Sequence, residues 1–174
     1  MRWRCTINLI GNCNEKEVWE RHVGDSLRLV PLMPGGVGRG VDLGSGAGFP
    51  GLVLAIATGV AFTLVESDRR KAAFLREAAR VTGAPVVVCN ARIEAAGVAP
   101  APLVTARALA PLPRLLGLAH PLLAPGGVCL FPKGAAACEE VAAARRVWRF
   151  SLETHADPGD ARSVVLRITD LAPA

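Results

Sequence analysis

Between Val41 and Gly51 the chain reads Val-Asp-Leu-Gly-Ser-Gly-Ala-Gly-Phe-Pro-Gly, an apolar run that ends in an acid and breaks into alternating glycines. Eight of the 18 glycines fall between positions 35 and 51. This order prescribes a strand, a tight loop and a helix start, with Pro50 suited to the first helical turn. Glycine permits positive φ and lets backbone approach a ligand closely, while the helix start supplies unpaired N–H groups.

The rest of the chain repeats the same alternation. Strand-like runs cover Ala61 to Glu66, Pro85 to Cys89, Leu103 to Arg107 and Val128 to Pro132, after a short first strand ending at Asp42. Helical patterns between them begin near Pro50, Asp68, Pro111 and Gly134. Alternation of this kind predicts βαβ units on a mostly parallel sheet with helices on both faces. Trp148 to Glu153 and Ser163 to Thr169, joined through Asp157-Pro158-Gly159-Asp160, read as a closing antiparallel pair at the sheet edge. Ahead of the core, Asn14 is placed to cap a helix with Glu17 as its reciprocal partner. Apolar positions then recur at helical spacing from Val18 to Val30, ending at Pro31 and Pro34. The expected organisation is an N-terminal helical segment, 1–34, and a core, 35–174, in one domain.

The second strand also ends in an acid, Glu66, about 20 residues after the glycine loop, where a carboxylate can accept both hydrogen bonds of a ribose diol. Loop and acid together predict an adenosine-containing cofactor. Gly46 to Gly51 satisfies the GxGxxG pattern, which NAD(P) also uses. Two features favour S-adenosylmethionine. Asp42 at the strand tip is suited to an ammonium group, and a chain with no tyrosine excludes a tyrosine–lysine dehydrogenase site. An NAD(P)-dependent oxidoreductase and a non-catalytic nucleotide binder remain open as alternatives.

Charge and length set further bounds. At 174 residues and 51% hydrophobic, the chain is long enough for one well-buried core. Uncharged stretches at Leu43 to Val65 and Leu115 to Pro132 are interrupted by glycines and prolines, so they read as buried α/β elements rather than membrane spans. No charged-then-apolar leader precedes Trp3, and a cytoplasmic protein is expected. The net charge of +5 has the sign for a polyanion partner. Arg69-Arg70-Lys71 opens a helix that continues to Arg76 and Arg80, either as a solvated face or as an RNA backbone contact. The five cysteines, at 5, 13, 89, 129 and 138, have no CxxC spacing, so neither a metal site nor a disulfide framework is expected. Cys89 and Cys129 read as buried small hydrophobes, and Trp3, Trp19 and Trp148 as packing residues.

Five segments in order carry a more specific resemblance. They are Arg21-His-Val-Gly-Asp-Ser-Leu27, Asp42 to Gly51, Glu66-Ser-Asp-Arg-Arg-Lys-Ala-Ala-Phe-Leu75, Thr105-Ala-Arg-Ala-Leu-Ala-Pro-Leu112 and Phe131-Pro-Lys-Gly134. Together they resemble the bacterial 16S rRNA guanine-N7 methyltransferase family (RsmG, or glucose-inhibited division protein B) over nearly the whole chain. The resemblance implies a Rossmann-like class I S-adenosylmethionine-dependent methyltransferase fold. It places the cofactor against Gly44, Gly46 and Phe49, the ribose at Glu66 and the adenine at Ile93-Glu94. Arg107 faces the methionine end or the incoming base. The chain departs from the family in two respects. Its N-terminal helical segment is expected to be truncated, and Pro132 stands where an apolar residue is usual.

The implied acceptor is consistent with the residues present. Guanine N7 carries a lone pair and no proton, so attack on a sulfonium methyl requires alignment and exclusion of water rather than a general base. Transfer to an exocyclic amine usually leaves an Asn/Asp-Pro-Pro-aromatic tetrad after the fourth strand, where this chain has Ala106-Arg107-Ala108-Leu109. Transfer to pyrimidine carbon-5 uses a thiolate, typically after proline, and no cysteine here follows a proline. Arg107, in an apolar strand, is costly to bury unless it serves the site. His22 and Asp25 read as a structural pair or as a substrate-side lid, and Lys133 as a phosphate contact or a solvated end. The expected partner is 16S rRNA or the 30S particle, bound by a monomer without metal.

Overall fold

A computed structural model describes residues 15–157 and 160–174, with the side chains of Glu15 and Ala161 outside the description. The expected Asn14 cap, Trp3, Cys5 and Cys13 fall outside the described residues. The described residues open with α1 (Glu15–Glu17), a π-helical turn (Val18–Val23) and α2 (Gly24–Leu27). It continues through β1 (Arg39–Leu43), α3 (Gly51–Thr58), β2 (Ala61–Val65), α4 (Arg69–Thr82) and β3 (Val86–Cys89). Then follow β4 (Ala101–Ala106), α5 (Leu112–Ala119), β5 (Leu123–Lys133), α6 (Ala137–Ala144), β6 (Trp148–Asp157) and β7 (Asp160–Pro173).

Local chemistry accounts for the boundaries. Asp68 caps α4 by accepting from the N–H groups of Arg70 and Lys71, and Gly83 ends that helix at φ +65°. Gly59 closes α3 in the same way at φ +73°. The N-terminal helical spacing is interrupted, however, by the π turn, in which the N–H of Gly24 reaches the carbonyl of Trp19. Such turns reset the helical register where tertiary contacts demand it.

Seven strands form one sheet in the order β3-β2-β1-β4-β5-β7-β6. β1 to β5 are parallel, and β7 runs antiparallel to both β5 and β6. The expected edge pair is therefore present, with β7 inserted between β5 and β6. Central strands are covered on both faces, as a parallel sheet requires. Val41, Leu43, Val104 and Phe131 pack under α5, α6 and Phe150. Their alternating neighbours Leu64, Leu103 and Leu130 pack with Leu29, Leu54 and Leu75 on the other side. Pro132 sits beyond the end of β4 and pairs only across to Val165 of β7, so its missing N–H costs no bond on the β4 side. The strand order reverses between β1 and β4. An open sheet leaves a crevice at its carboxyl edge at such a point.

Among the described residues, no helix is long and apolar enough to cross a membrane. No group of His, Cys, Asp or Glu among them is arranged to hold a metal ion.

Candidate active site

The loop after β1 lies in that crevice. Gly44, Gly46 and Gly48 all take positive φ, at 64°, 54° and 90°. At Gly44 an added Cβ would stand 2.7 Å from the Leu109 side chain, whereas at Gly46 it would meet only the Gly44 carbonyl oxygen, at 3.8 Å. The loop thus presents bare backbone outward and is tightly packed behind. Glu66, just past β2 and 6% exposed, holds it in place. Its Oε2 accepts from the Gly46 N–H and its Oε1 from the Asp68 N–H, each at 2.8 Å. Each carboxylate oxygen keeps a second lone pair for another donor.

Asp42 has a different place from the one its strand-tip position suggests. It is wholly buried beneath the loop and the first turn of α3, where a Cβ on Gly51 would stand 2.4 Å from the Asp42 Cβ. Thr105 donates to its Oδ1 at 2.7 Å, and Oδ2 has no hydrogen-bond partner. Burial pushes the carboxyl up to about 6, opposed chiefly by the Thr105 hydroxyl. With no exposed surface, Asp42 forms the floor of the loop and presents no open carboxylate to an ammonium group.

Across the switch point, Arg107 follows β4 and is gripped by the N-terminal helical run. Its Nη1 donates to the Arg21 carbonyl at 3.2 Å and lies 3.8 Å from Asp25 Oδ2. Its Nη2 is 2.7 Å from His22 Nδ1, and the guanidinium stands 5.3 Å from the Phe49 ring centroid. His22 itself tilts against Phe49 at 5.2 Å. Burial, then the Arg107 charge, holds the imidazole below its ordinary value. Burial raises Asp25, opposed by Arg28 and Arg107. Ala108, the next residue, takes φ +52°, an uncommon conformation for a side-chain-bearing residue, as the chain turns away from the crevice.

Beside the loop lies a cavity of about 830 Å³, lined by residues that include Leu32, Arg107, Leu109, Lys133, His155 and Asp157. The glycines do not line it. Arg107 is the wall through which loop and cavity communicate, and His22 and Leu109 border both. On the far side of the loop, Ile93 and Glu94 lie in a 3-10 turn after β3, Ile93 half-buried and Glu94 exposed.

The basic residues separate into two groups. Arg69 and Arg70 are exposed at the start of α4, with Lys71 half-buried behind them. Lys133 instead points inward: its Nζ reaches the Ala110 carbonyl at 2.8 Å and Glu140 Oε2 at 2.7 Å. Glu140 also accepts from the Leu112 N–H, so Lys133 closes α5, α6 and β5 together rather than facing a phosphate. His22 likewise turns to Arg107 rather than outward. Trp148 packs as expected, donating to the Pro113 carbonyl, but Trp19 is 63% exposed. Cys129 is buried and Cys89 half-buried. Thr105 and Leu109, which support Asp42 and Gly44, lie in the Thr-Ala-Arg-Ala-Leu stretch, but local spacing alone gives neither of them a role.

The bare loop, the double acceptor at Glu66 and the opening toward Arg107 fit an S-adenosyl nucleoside. Comparison with known proteins points the same way. The sequence profile of rRNA small subunit methyltransferase G matches residues 1–158. The chain is similar to the protein of that name from Acidiphilium cryptum, at 51% identity over all of this chain and 82% of the relative. Its counterpart from Rhodospirillum centenum is 51% identical over 99% of this chain and 80% of the relative. Among solved structures, a TehB-like SAM-dependent methyltransferase from Corynebacterium glutamicum superposes with a TM-score of 0.64 at 14% identity, covering 84% and 86% of the two chains. A predicted O-methyltransferase from Agrobacterium tumefaciens gives 0.61 at 22% identity, covering 75% and 73%. The chain thus shares its overall fold with these two solved structures, and it belongs to the rRNA small subunit methyltransferase G family.

Proposed function

We propose that the chain transfers a methyl group from S-adenosylmethionine to N7 of a guanine in 16S rRNA of the small ribosomal subunit. The observation that carries this reading is the placement of Glu66 and Arg107 on opposite sides of one glycine loop at the β1/β4 switch point. When bound, the cofactor supplies an electrophilic methyl on a sulfonium, and N7 supplies its own lone pair. The chain therefore has to bind, orient and exclude water.

In this reading Gly44 and Gly46 offer backbone to the cofactor, with Asp42 as their buried floor. Glu66 accepts from the ribose with the lone pairs left by Gly46 and Asp68. Ile93 and Glu94 frame the adenine, and Phe49 lies under the Arg107 guanidinium toward the methionine end. The target base enters the cavity beside Arg107, where the catalytic contact is made. Arg69, Arg70 and Lys71 form the phosphate-facing patch. The protein acts in the cytoplasm as a monomer and without metal.

The buried position of Asp42 removes the ammonium argument for S-adenosylmethionine over NAD(P). The antiparallel β7 replaces it, because the dinucleotide fold runs its six strands in the order 3-2-1-4-5-6 without that insertion.

The test is transfer of labelled methyl to small-subunit particles and to naked 16S rRNA lacking the modification, with mapping of N7-methylguanosine. Transfer that Arg107→Ala abolishes is the expected result. Calorimetric binding of NADH without binding of S-adenosylhomocysteine would instead identify an oxidoreductase. Cofactor binding with no transfer to either RNA would leave a non-catalytic RNA-binding module.

A further inference from the structure

We propose that His22 is the positioning residue for Arg107, its unprotonated Nδ1 accepting from Nη2 and fixing the guanidinium over the Phe49 ring. This inference rests on the reading of Arg107 as the catalytic contact.

The geometry leaves one arrangement of protons. A guanidinium has only N–H donors, so at 2.7 Å the imidazole nitrogen facing it supplies a lone pair. His22 is therefore neutral, with its proton on Nε2. Protonation at Nδ1 would set two donors and two positive charges against each other. The π turn makes the contact available, because it brings the Arg21 carbonyl, the His22 ring and the Asp25 carboxylate onto the same guanidinium. Ser26 ties this turn further by donating to the His22 carbonyl at 2.6 Å. Arg107 is thus held by the peptide, ring and carboxylate of a segment 82 to 86 residues away in sequence.

The charged groups around the ring set its titration. Arg107 from the end of β4 and, more weakly, the Arg21 charge on the same helical run oppose protonation, while Asp25 and the Arg21 backbone favour it. Asp25 is in turn drawn to Arg28, which also pairs with Asp157 at the end of β6. Phe49 covers the ring on the loop side. Burial and the facing guanidinium prevail, so the neutral form persists to a lower pH than for an ordinary histidine.

Three chains test this: wild type, His22→Asn and His22→Leu. Asparagine places an oxygen acceptor near the Nδ1 position, whereas leucine fills the space without one. With labelled methyl transfer as the readout, His22→Leu should lose about tenfold to a hundredfold in kcat at neutral pH, the range for a hydrogen bond to a charged group, and the gap should narrow on the acid side, where His22 of the wild type is itself protonated. His22→Asn should retain most of the wild-type rate and lose the acid-side decline of the wild-type pH profile. Affinity for S-adenosylhomocysteine, measured on the same proteins, separates this inference from the broader one. If wild type transfers methyl and His22→Leu matches it, the positioning role falls and the proposed function stands. If wild type binds no S-adenosylhomocysteine, the proposed function falls first. His22→Asn as slow as His22→Leu would also overturn the role, since the acceptor would then not be what matters. Nitrogen-15 spectra of the wild-type histidines need no variant: they should show His22 as the Nε2–H tautomer at neutral pH, and an Nδ1–H or doubly protonated ring would refute it.

Discussion

The backbone N–H of Gly46 donates to Glu66 Oε2 over 2.8 Å, tying the loop after β1 to the end of β2 across 20 residues of sequence. The other oxygen of the same buried carboxylate holds the Asp68 N–H, so two donors converge on a group with no room to turn. Glu66→Gln turns one of its acceptors into a donor facing an N–H. Affinity for S-adenosylhomocysteine should fall by about 1–3 kcal/mol, read by calorimetry. Unchanged affinity would remove Glu66 from the cofactor site.

Asp42 gives the folded chain an unusual pH response. Burial lifts its carboxyl from 3.8 to about 6. Between those values the folded chain keeps a proton that the unfolded chain has released, so stability falls as pH rises through that window. The gap corresponds to on the order of 3 kcal/mol. Asp42→Asn keeps an oxygen for the Thr105 hydroxyl and has no proton to lose. Denaturant midpoints of the ligand-free proteins should therefore diverge, wild type losing stability from about pH 4 to about pH 6 relative to the variant. Parallel curves would contradict the buried, protonated state.

Gly51 is required for space rather than for backbone conformation. A Cβ there would stand 2.4 Å from the Asp42 Cβ and 2.8 Å from Leu64, inside the contact between α3 and β1. Gly51→Ala should destabilise the fold by about 1–3 kcal/mol or more, seen as a lower midpoint with an unchanged denaturant slope. A midpoint equal to wild type would show that the helix can lift without cost.

Lys133 and the α4 arginines should respond oppositely. Lys133→Ala strips the partner from half-buried Glu140 and should cost about 1–3 kcal/mol of stability, with the salt dependence of RNA binding unchanged. Arg69→Ala with Arg70→Ala should leave stability within about 0.5 kcal/mol. The same pair should flatten the salt slope of RNA binding by about one to two. A Lys133 variant that flattens the slope instead would place a phosphate at β5.

Much of the architecture was legible from local pattern. The strand ends at Asp42 and near Glu66, the glycine loop, the Asp68 start of α4 and the closing hairpin all lie within a few residues of their expected places. These depend on backbone conformation, capping and alternation of apolar residues, which act over one or two turns of chain. The loop and its second-strand acid were readable for the same reason.

Contacts between distant segments were decided only in three dimensions. Nothing in local spacing says that β7 inserts between β5 and β6, or that α3 closes over Asp42 and buries it. Lys133 looks like an open phosphate ligand until α6 brings Glu140 to it, and Trp19 looks like core until the fold leaves it exposed. The π turn belongs here too, since it departs from ideal spacing where the helical run meets Arg107 across 85 residues. Helical and strand periods determine which face of each element is apolar. What a polar side chain finds opposite it depends on how those faces stack, and that choice is made by the packed sheet as a whole.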